Sequence, residues 1–197
     1  MAAYTFEKIL QDGINQKIIP AKTQQARDWY RSEAEKYRLS TIRLLKADNS
    51  RLQTQLNIGH MYLFNYDPKH KATLPYYDKF PLIFPISPMP KGGMLGINMH
   101  YLPLPERAGL MDALYHTRTN SKYDETTRMR ISYEILKGAS KFKAFKPCVK
   151  HYLPNHFKTQ FFWIDPKEWD IALFLPLERF AKAGKAKAWE DSRKMIR

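Results

Sequence analysis

The chain has 197 residues, of which 44% are hydrophobic and 14% aromatic, and this composition excludes a wholly disordered polypeptide. The formal charge of +14 predicts attraction to nucleic acid or to an acidic protein surface. The single cysteine excludes an internal disulfide, no apolar run approaches the roughly 18–20 residues of a membrane-spanning helix, and the N-terminus shows no secretory signal pattern.

The N-terminal part is predicted to be a helical arm. Residues 4–11 place apolar side chains at helical spacing, and Thr23 is positioned to cap a longer helix that runs to about residue 46. Composition and element boundaries together divide the chain into an N-terminal helical arm, a central α+β domain and a C-terminal helical arm, at residues 1–58, 59–176 and 177–197.

Three strands are predicted at the start of the central domain, at residues 60–66, 82–86 and 94–101. The first has apolar residues at both odd and even positions, which predicts a strand covered on both faces. The second contains prolines, which cannot donate to a strand ladder, so it should be an edge strand or a bent one. A Pro/Gly turn at residues 88–93 predicts a hairpin into the third strand. Its alternation of apolar residues with Gly96, Asn98 and His100 predicts a polar outer face.

The rest of the chain alternates helices and one strand. Helices are predicted at residues 103–115 and 125–137, the second closed by Gly138, with a last strand at residues 158–164 and a helix capped by Asp165. The Ala/Lys-rich tail should form a helix with Trp189 as one of its few apolar anchors. Two interpretations of this tail stay open: it orders on a partner, or Trp189 docks on its own domain.

The positive charge is unevenly distributed. Residues 121–197 hold 17 Lys/Arg against 9 Asp/Glu, and no acid occurs between Glu134 and Asp165. Phe142 and Phe145 alternate with lysines there, which fits either a stacking platform for single-stranded nucleic acid or core rings with lysines pointing outward, and we favour the core. Arg27, Arg31 and Arg38 lie on one flank of the predicted N-terminal helix. They could bind phosphates, and the competing interpretation is an ordinary charged helix face. The candidate phosphate-binding residues are Arg27, Arg31, Arg38, Lys141, Lys143, Lys146, Lys150 and Lys158.

The candidate partner-binding residues are aromatic: Tyr76, Tyr77, Phe80 and Trp189. No nucleophile elbow, P-loop or dinucleotide-binding glycine pattern occurs. Cys148, His151 and His156 are metal-ligand types without a recurring metal-site spacing. The sequence therefore predicts no enzyme, no cofactor, no metal site and no membrane partner.

Residues 59–86 resemble the small barrel of the toxin endoribonucleases, through a G-x-h-Y-h-h-x-Y-D-P-K strand followed by an F-P-L-I-x-x-I strand. The Arg and Thr or Ser expected in the active sites of those enzymes have no counterpart here, so the resemblance implies a fold and not an activity. The predicted fold class is α+β, with a small, strongly bent antiparallel sheet of the SH3-like barrel kind, flanking helices and helical terminal arms.

Four further motifs are YDPK at 66–69, LPYYDKFPL at 74–82, GINMHYLP at 96–103 and FLPLERF at 174–180. Together they resemble small virion-associated structural and completion proteins of T-even-like contractile-tailed bacteriophages. The resemblance implies a non-enzymatic adaptor between larger subunits of the tail, baseplate or head-tail region, bound to other virion proteins and assembled in the host cytoplasm. The alternatives are a basic protein that binds double-stranded DNA and protects or caps packaged ends, and a small-barrel nuclease. We favour the adaptor.

Overall fold

A computed structural model describes residues 12–13, 15–18, 23, 25–26, 28–29, 32–33, 49–102, 107, 110, 114, 122–165, 169 and 177–196. The strands are β1 (Leu52–Gln53), β2 (Met61–Leu63), β3 (Tyr77–Asp78), β4 (Leu82–Pro88), β5 (Met94–Asn98), β6 (Val149–Tyr152), β7 (Phe161–Ile164) and β8 (Phe180–Ala181). Helix α1 spans Glu125–Ala139 and helix α2 spans Lys185–Ile196, and 3-10 turns at Met99–Tyr101 and Lys143–Cys148 adjoin β5 and β6. The predicted α+β class is confirmed.

The main sheet is antiparallel, with six strands in the order β1-β7-β2-β4-β5-β6, and β3 and β8 form a separate two-stranded sheet. In the described part of the chain, β1 and β6 lie at opposite edges and no pairing closes the sheet. The predicted SH3-like barrel is therefore not confirmed. A register shift between Pro85 and Ser87 bends β4, as a bulge does.

Strand β4 is central and not an edge, because it pairs with β2 on one side and β5 on the other. The prolines are tolerated because β2 is only three residues long. Its ladder with β4 reaches only Leu82 and Ile83, so Pro85 lies beyond the pairing with β2. The edge interpretation was wrong and the bent one was right.

The sheet is covered on both faces. One core joins Met61, Leu63 and Phe84 to residues of the helical segments, including Leu110 and Trp169. The other is an aromatic cluster, in which the Phe64 ring meets four others edge-on. All three residues of β2 are buried, which confirms its predicted double-sided cover.

The polar positions of β5 are buried, which corrects the prediction of a solvent-facing side. Asn98 and His100 are both fully buried beside the Asp78 carboxylate of β3: His100 Nδ1 lies 2.7 Å and Asn98 Nδ2 lies 3.2 Å from Asp78 Oδ2, while His100 Nε2 has no hydrogen-bond partner among the described residues. Trp189 and Ser192 of α2 bond to the carbonyls of His100 and Tyr101. The small sheet and α2 therefore supply polar partners to most of this buried polar face.

The two helices that the structure describes in full follow their predicted positions with one difference, and most residues of the predicted helices at 23–46, at 103–115 and after Asp165 lie outside the described residues. Asp124 caps α1 through a 2.7 Å bond from the Thr127 amide, and Thr23 accepts from the Ala26 amide at 3.1 Å. Gly138 lies inside α1, and Ser140 is its C-cap. The predicted helix at 4–11 lies outside the described residues. The three-part domain division stays a prediction, although β1 from the first segment pairs with β7.

The β4–β5 hairpin supplies a test of this architecture. Gly93 has φ +91°, and a Cβ there would lie 2.2 Å from the Tyr152 carbonyl oxygen of β6. We expect Gly93→Ala to lower the free energy of unfolding by more than the ~1–3 kcal/mol that a left-handed non-glycine residue costs, because β6 must also move. Gly92→Ala is the control, since Gly92 has a similar φ of +81° but its Cβ would meet only Pro154 Cγ at 3.4 Å. Equal melting temperatures for the two variants would contradict the close approach of the hairpin to β6.

Candidate nucleic-acid interface

The chain leaves α1 through a series of tight turns that carry three exposed lysines, Lys141, Lys143 and Lys146. The Lys141 and Phe142 amides donate to the carbonyls of Gly138 and Ala139 at 3.0 Å, and the chain then enters the 3-10 turn Lys143–Cys148. Pro147 and Cys148 at its end are buried and anchor it. We call residues 141–146 the basic turn.

Phe142 and Phe145 have opposite environments in the basic turn. Phe145 packs against the main core, as the favoured interpretation predicted. Phe142 is 66% exposed, the largest exposure among the large hydrophobic residues that the structure describes, so the core interpretation was wrong for it. Its neighbours Lys141 and Lys143 are both exposed. An exposed aromatic residue with a lysine on each side in the sequence is a combination that binds bases by stacking and phosphates by charge.

The basic turn also differs from other lysine-rich surfaces in how its charge is balanced. Within the described ranges, neither Lys141 nor Lys146 has a carboxylate within 4.0 Å, and both are exposed. On α2, Lys187 and Lys194 are each 2.6 Å from the carboxylate of Asp191 or Glu190. Ion pairs thus compensate the charges of Lys187 and Lys194 but not those of Lys141 and Lys146.

The other candidate phosphate ligands are dispersed. Lys158 is exposed beside the β2 end of the sheet, where Lys71 and, more weakly, Lys158 hold the pKa of Asp67 below its ordinary value. Lys150 of β6 is turned inward, with Nζ 4.0 Å from the centre of the Tyr101 ring. Arg27, Arg31 and Arg38 lie outside the described residues.

The candidate partner-binding aromatics contribute to intramolecular packing. Tyr76 lies against the rings of Tyr101 and Phe180, at centroid distances of 6.1 and 5.9 Å. Phe80 is partly buried against the main core, and Trp189 donates to the His100 carbonyl at 2.9 Å. Tyr77 is half-buried on β3 and lines a cavity. The contact of Trp189 favours the self-docking interpretation of the tail, and binding of a partner by these four residues stays a prediction.

Sequence analysis did not identify the role of Asp78. Asp78 is buried and accepts from His100, Asn98 and the Phe80 amide. The signal that pointed to it was the pair of polar residues, Asn98 and His100, in an otherwise apolar strand. Buried polar side chains in a strand require a polar partner from another element.

The metal-ligand types found in the sequence serve other purposes. Burial raises the pKa of the Cys148 thiol to about 12, so the neutral thiol packs in the core. His151 is exposed, and Nδ1 of His156 lies 2.7 Å from the Asp67 carbonyl. Across the described residues there is no group of three or more side chains arranged to hold a metal ion. The helices described are also too short or too polar to span a membrane.

A family model described as Phage T4 terminal DNA protecting protein matches residues 5–193. Neither the curated proteins nor the solved structures give a match. The family match confirms the resemblance to T4-like phage proteins that the four motifs carried. It also overturns the prediction of a tail or baseplate adaptor, because the matched family is described as protecting DNA termini. The match favours the DNA-end alternative.

Proposed function

We propose a role at the ends of double-stranded DNA, on the premise that the chain belongs to the Phage T4 terminal DNA protecting protein family. In this proposal the chain binds a DNA terminus without covalent attachment and prevents nucleases from reaching it. The observation that carries the proposal to particular residues is Phe142, an exposed aromatic ring between two lysines in an acid-free part of the chain.

The duplex backbone is bound by charge. Residues 137–158 contain no acid, and the lysines that we propose to contact the backbone are the three of the basic turn, Lys141, Lys143 and Lys146. Phosphate contacts by lysine release condensed counterions, so this part of the binding energy does not depend on sequence and falls as salt rises. That property suits a protein that must bind whatever sequence stands at the end of a DNA molecule.

Charge alone does not distinguish an end from the middle of a duplex. An end differs because the outer face of its last base pair has no stacked neighbour. A ring such as that of Phe142 stacks on this face, while Lys141 and Lys143 reach the terminal phosphates on either side. Stacking of an aromatic side chain on a base is sequence-tolerant and contributes about 1–3 kcal/mol.

Protection in this form requires occupancy and no chemistry. The description of the family as protective supports a non-enzymatic role, in agreement with the lack of a catalytic signature in the sequence. We also propose that the chain enters the phage particle with the DNA whose ends it covers, after assembly in the host cytoplasm.

The proposal is tested with two DNAs that share one duplex sequence. The first is a hairpin with one open end, and the second is a dumbbell with both ends closed by loops. We expect the protein to bind the hairpin about tenfold more tightly, as one stacked base pair permits. Phe142→Ala should bring the two affinities close together while binding to the dumbbell persists. Tyr123→Ala, which removes another exposed aromatic ring outside the basic turn, is the control.

A protection assay completes the test. The protein should delay digestion of the open hairpin by an exonuclease, and unlabelled dumbbell should relieve the delay only at about tenfold higher concentration than unlabelled hairpin does. Equal affinity of the wild-type protein for hairpin and dumbbell would show that it binds DNA without regard to ends, and the proposed function would then be wrong.

A further inference from the structure

A cavity of about 280 Å³ lies between the small sheet, β5 and β6. Its walls include five tyrosines and three polar or charged side chains: Tyr66, Tyr76, Tyr77, Tyr101, Tyr152, Asp78, Asn98 and Lys150. None of the features assigned to the DNA end so far involves this cavity. Its size is just below the ~300–1,000 Å³ of pockets for drug-sized ligands, so it suits one small aromatic group.

Packing and a hydrogen bond hold several of the tyrosine rings in place. The Tyr66 hydroxyl accepts from the Leu153 amide at 2.9 Å. The ring centres of Tyr66 and Tyr152 lie 5.0 Å apart, and those of Tyr76 and Tyr101 lie 6.1 Å apart. A cavity whose rings are already fixed loses little conformational entropy when a planar group enters between them.

Lys150 gives the cavity a positive charge that has no acidic partner. Its Nζ lies over the Tyr101 ring, and in the described part of the chain no carboxylate lies within 4.0 Å of it. Burial holds the pKa of Lys150 below its ordinary value. The nearby Asp78 carboxylate is engaged by His100 and Asn98. A bound anion would compensate the buried ammonium.

We propose that this cavity binds the single unpaired nucleotide at the end of a DNA strand, with the base between the tyrosine rings and a phosphate on Lys150. Aromatic walls fit the base, the ammonium fits the phosphate, and the volume excludes a base pair. The inference rests on the proposed function, and it adds a preference for the form of the end.

The test uses the one-ended hairpin with a blunt end, with a one-nucleotide overhang, and with an overhang that keeps the phosphate but lacks the base. We expect the full overhang to tighten binding about tenfold relative to the blunt end, from one base stacked on aromatic rings. The overhang without a base should give only part of this gain. Millimolar deoxynucleoside monophosphate should remove the gain and leave blunt-end binding intact.

Two variants connect the gain to the cavity. Lys150→Gln and Tyr77→Leu should each abolish the gain and retain blunt-end affinity, with melting temperatures showing that each variant is folded. Lys91→Gln removes the same charge from the exposed β4–β5 turn and should keep the gain. Unchanged gain in both cavity variants would overturn the inference, as would binding of the free nucleotide without any gain from the overhang. Either result leaves the hairpin-over-dumbbell preference standing, so the proposed function is judged separately.

Discussion

Replacing Glu178 by glutamine is expected to lower the free energy of unfolding by about 3–5 kcal/mol, the cost of removing one partner from a buried ion pair. The Arg107 guanidinium is completely buried, and its Nη2 lies 2.7 Å from Glu178 Oε1. The same guanidinium donates to the carbonyls of Leu102 and His100 and lies 5.4 Å from the Trp189 ring. It therefore joins the turn after β5 to α2 and to the segment before β8.

The change should be visible in thermal unfolding. For a chain of this length we expect the melting temperature at pH 7 to fall by roughly 6–20 °C. Glu190→Gln makes the same chemical change at an exposed glutamate that pairs with Lys194, and it should leave the melting temperature nearly unchanged. Equal melting temperatures of the two variants would show that the buried Arg107–Glu178 ion pair does not stabilise the fold as the geometry indicates.

The stabilisation by the Arg107–Glu178 pair should depend on pH. Burial, the largest single cause, raises the pKa of Glu178, but Arg107, His100 and the hydrogen bonds that the carboxylate accepts together outweigh it, and the net pKa lies below its ordinary value. A carboxyl with a lowered folded-state pKa stabilises the protein fully above the unfolded pKa of about 4.3, and this stabilisation is lost as the pH falls through the folded pKa. The wild-type protein and Glu178→Gln should therefore converge in stability below about pH 4.

A double substitution distinguishes the attraction between Arg107 and Glu178 from the cost of burying their charges. Replacing Arg107 by methionine together with Glu178 by leucine removes both charges from the interior. We expect it to recover much of the stability lost by Glu178→Gln, because no buried charge is left without a partner. A double variant as unstable as the single one would show that the hydrogen bonds of Arg107 to the two carbonyls matter more than the ion pair.

The sequence was sufficient to locate the strands whose signal is local. Residues 61–63 are apolar at both odd and even positions. The strands at 82–88 and 94–98 flank a Pro/Gly turn, and the apolar stretch predicted as the last strand contains β7. Each of these patterns is contained within a few neighbouring residues. The periodicity and turn chemistry that specify them can therefore be recognised without any tertiary contact.

Partners far apart in the chain were not predictable. Nothing near Arg107 indicates that it is buried, because its partner Glu178 follows a long intervening stretch of sequence. The β3–β8 pair is two residues long, too short to give a strand pattern, yet it positions Asp78 under Asn98 and His100. Burial of polar groups depends on such contacts, and a single sequence does not show them.

At the candidate interface, too, some features were evident from the sequence and others depended on the folded structure. The run of lysines without acids was evident from the sequence, but two interpretations of its aromatic residues fitted the alternation equally well. The structure separates them, because Phe145 turns into the core while Phe142 stays 66% exposed one turn earlier. The decisive information was the direction of the chain after α1, which the tight turns at Ser140 to Phe142 determine.

Neutralising the basic turn is expected to have the largest effect on DNA binding. In the variant with Lys141, Lys143 and Lys146 changed to glutamine, three phosphate contacts are lost, so the slope of log K against log salt should become less steep by about 2.7. Between about 50 and 200 mM salt the wild-type protein should then lose about 40-fold more affinity than the variant. Titrations of the closed dumbbell measure this slope without any contribution from ends.

The matched control changes Lys91, Lys187 and Lys194 to glutamine, which removes the same total charge from the protein. Lys187 and Lys194 already face Asp191 and Glu190, so their positive charge is compensated in the folded protein. We therefore expect this control to alter the slope by much less than the basic-turn variant does. Equal changes in slope would mean that net charge attracts the DNA and that the basic turn has no special position. A larger change at the basic turn would place the phosphates beside Phe142, where a DNA end must lie for its last base pair to be covered.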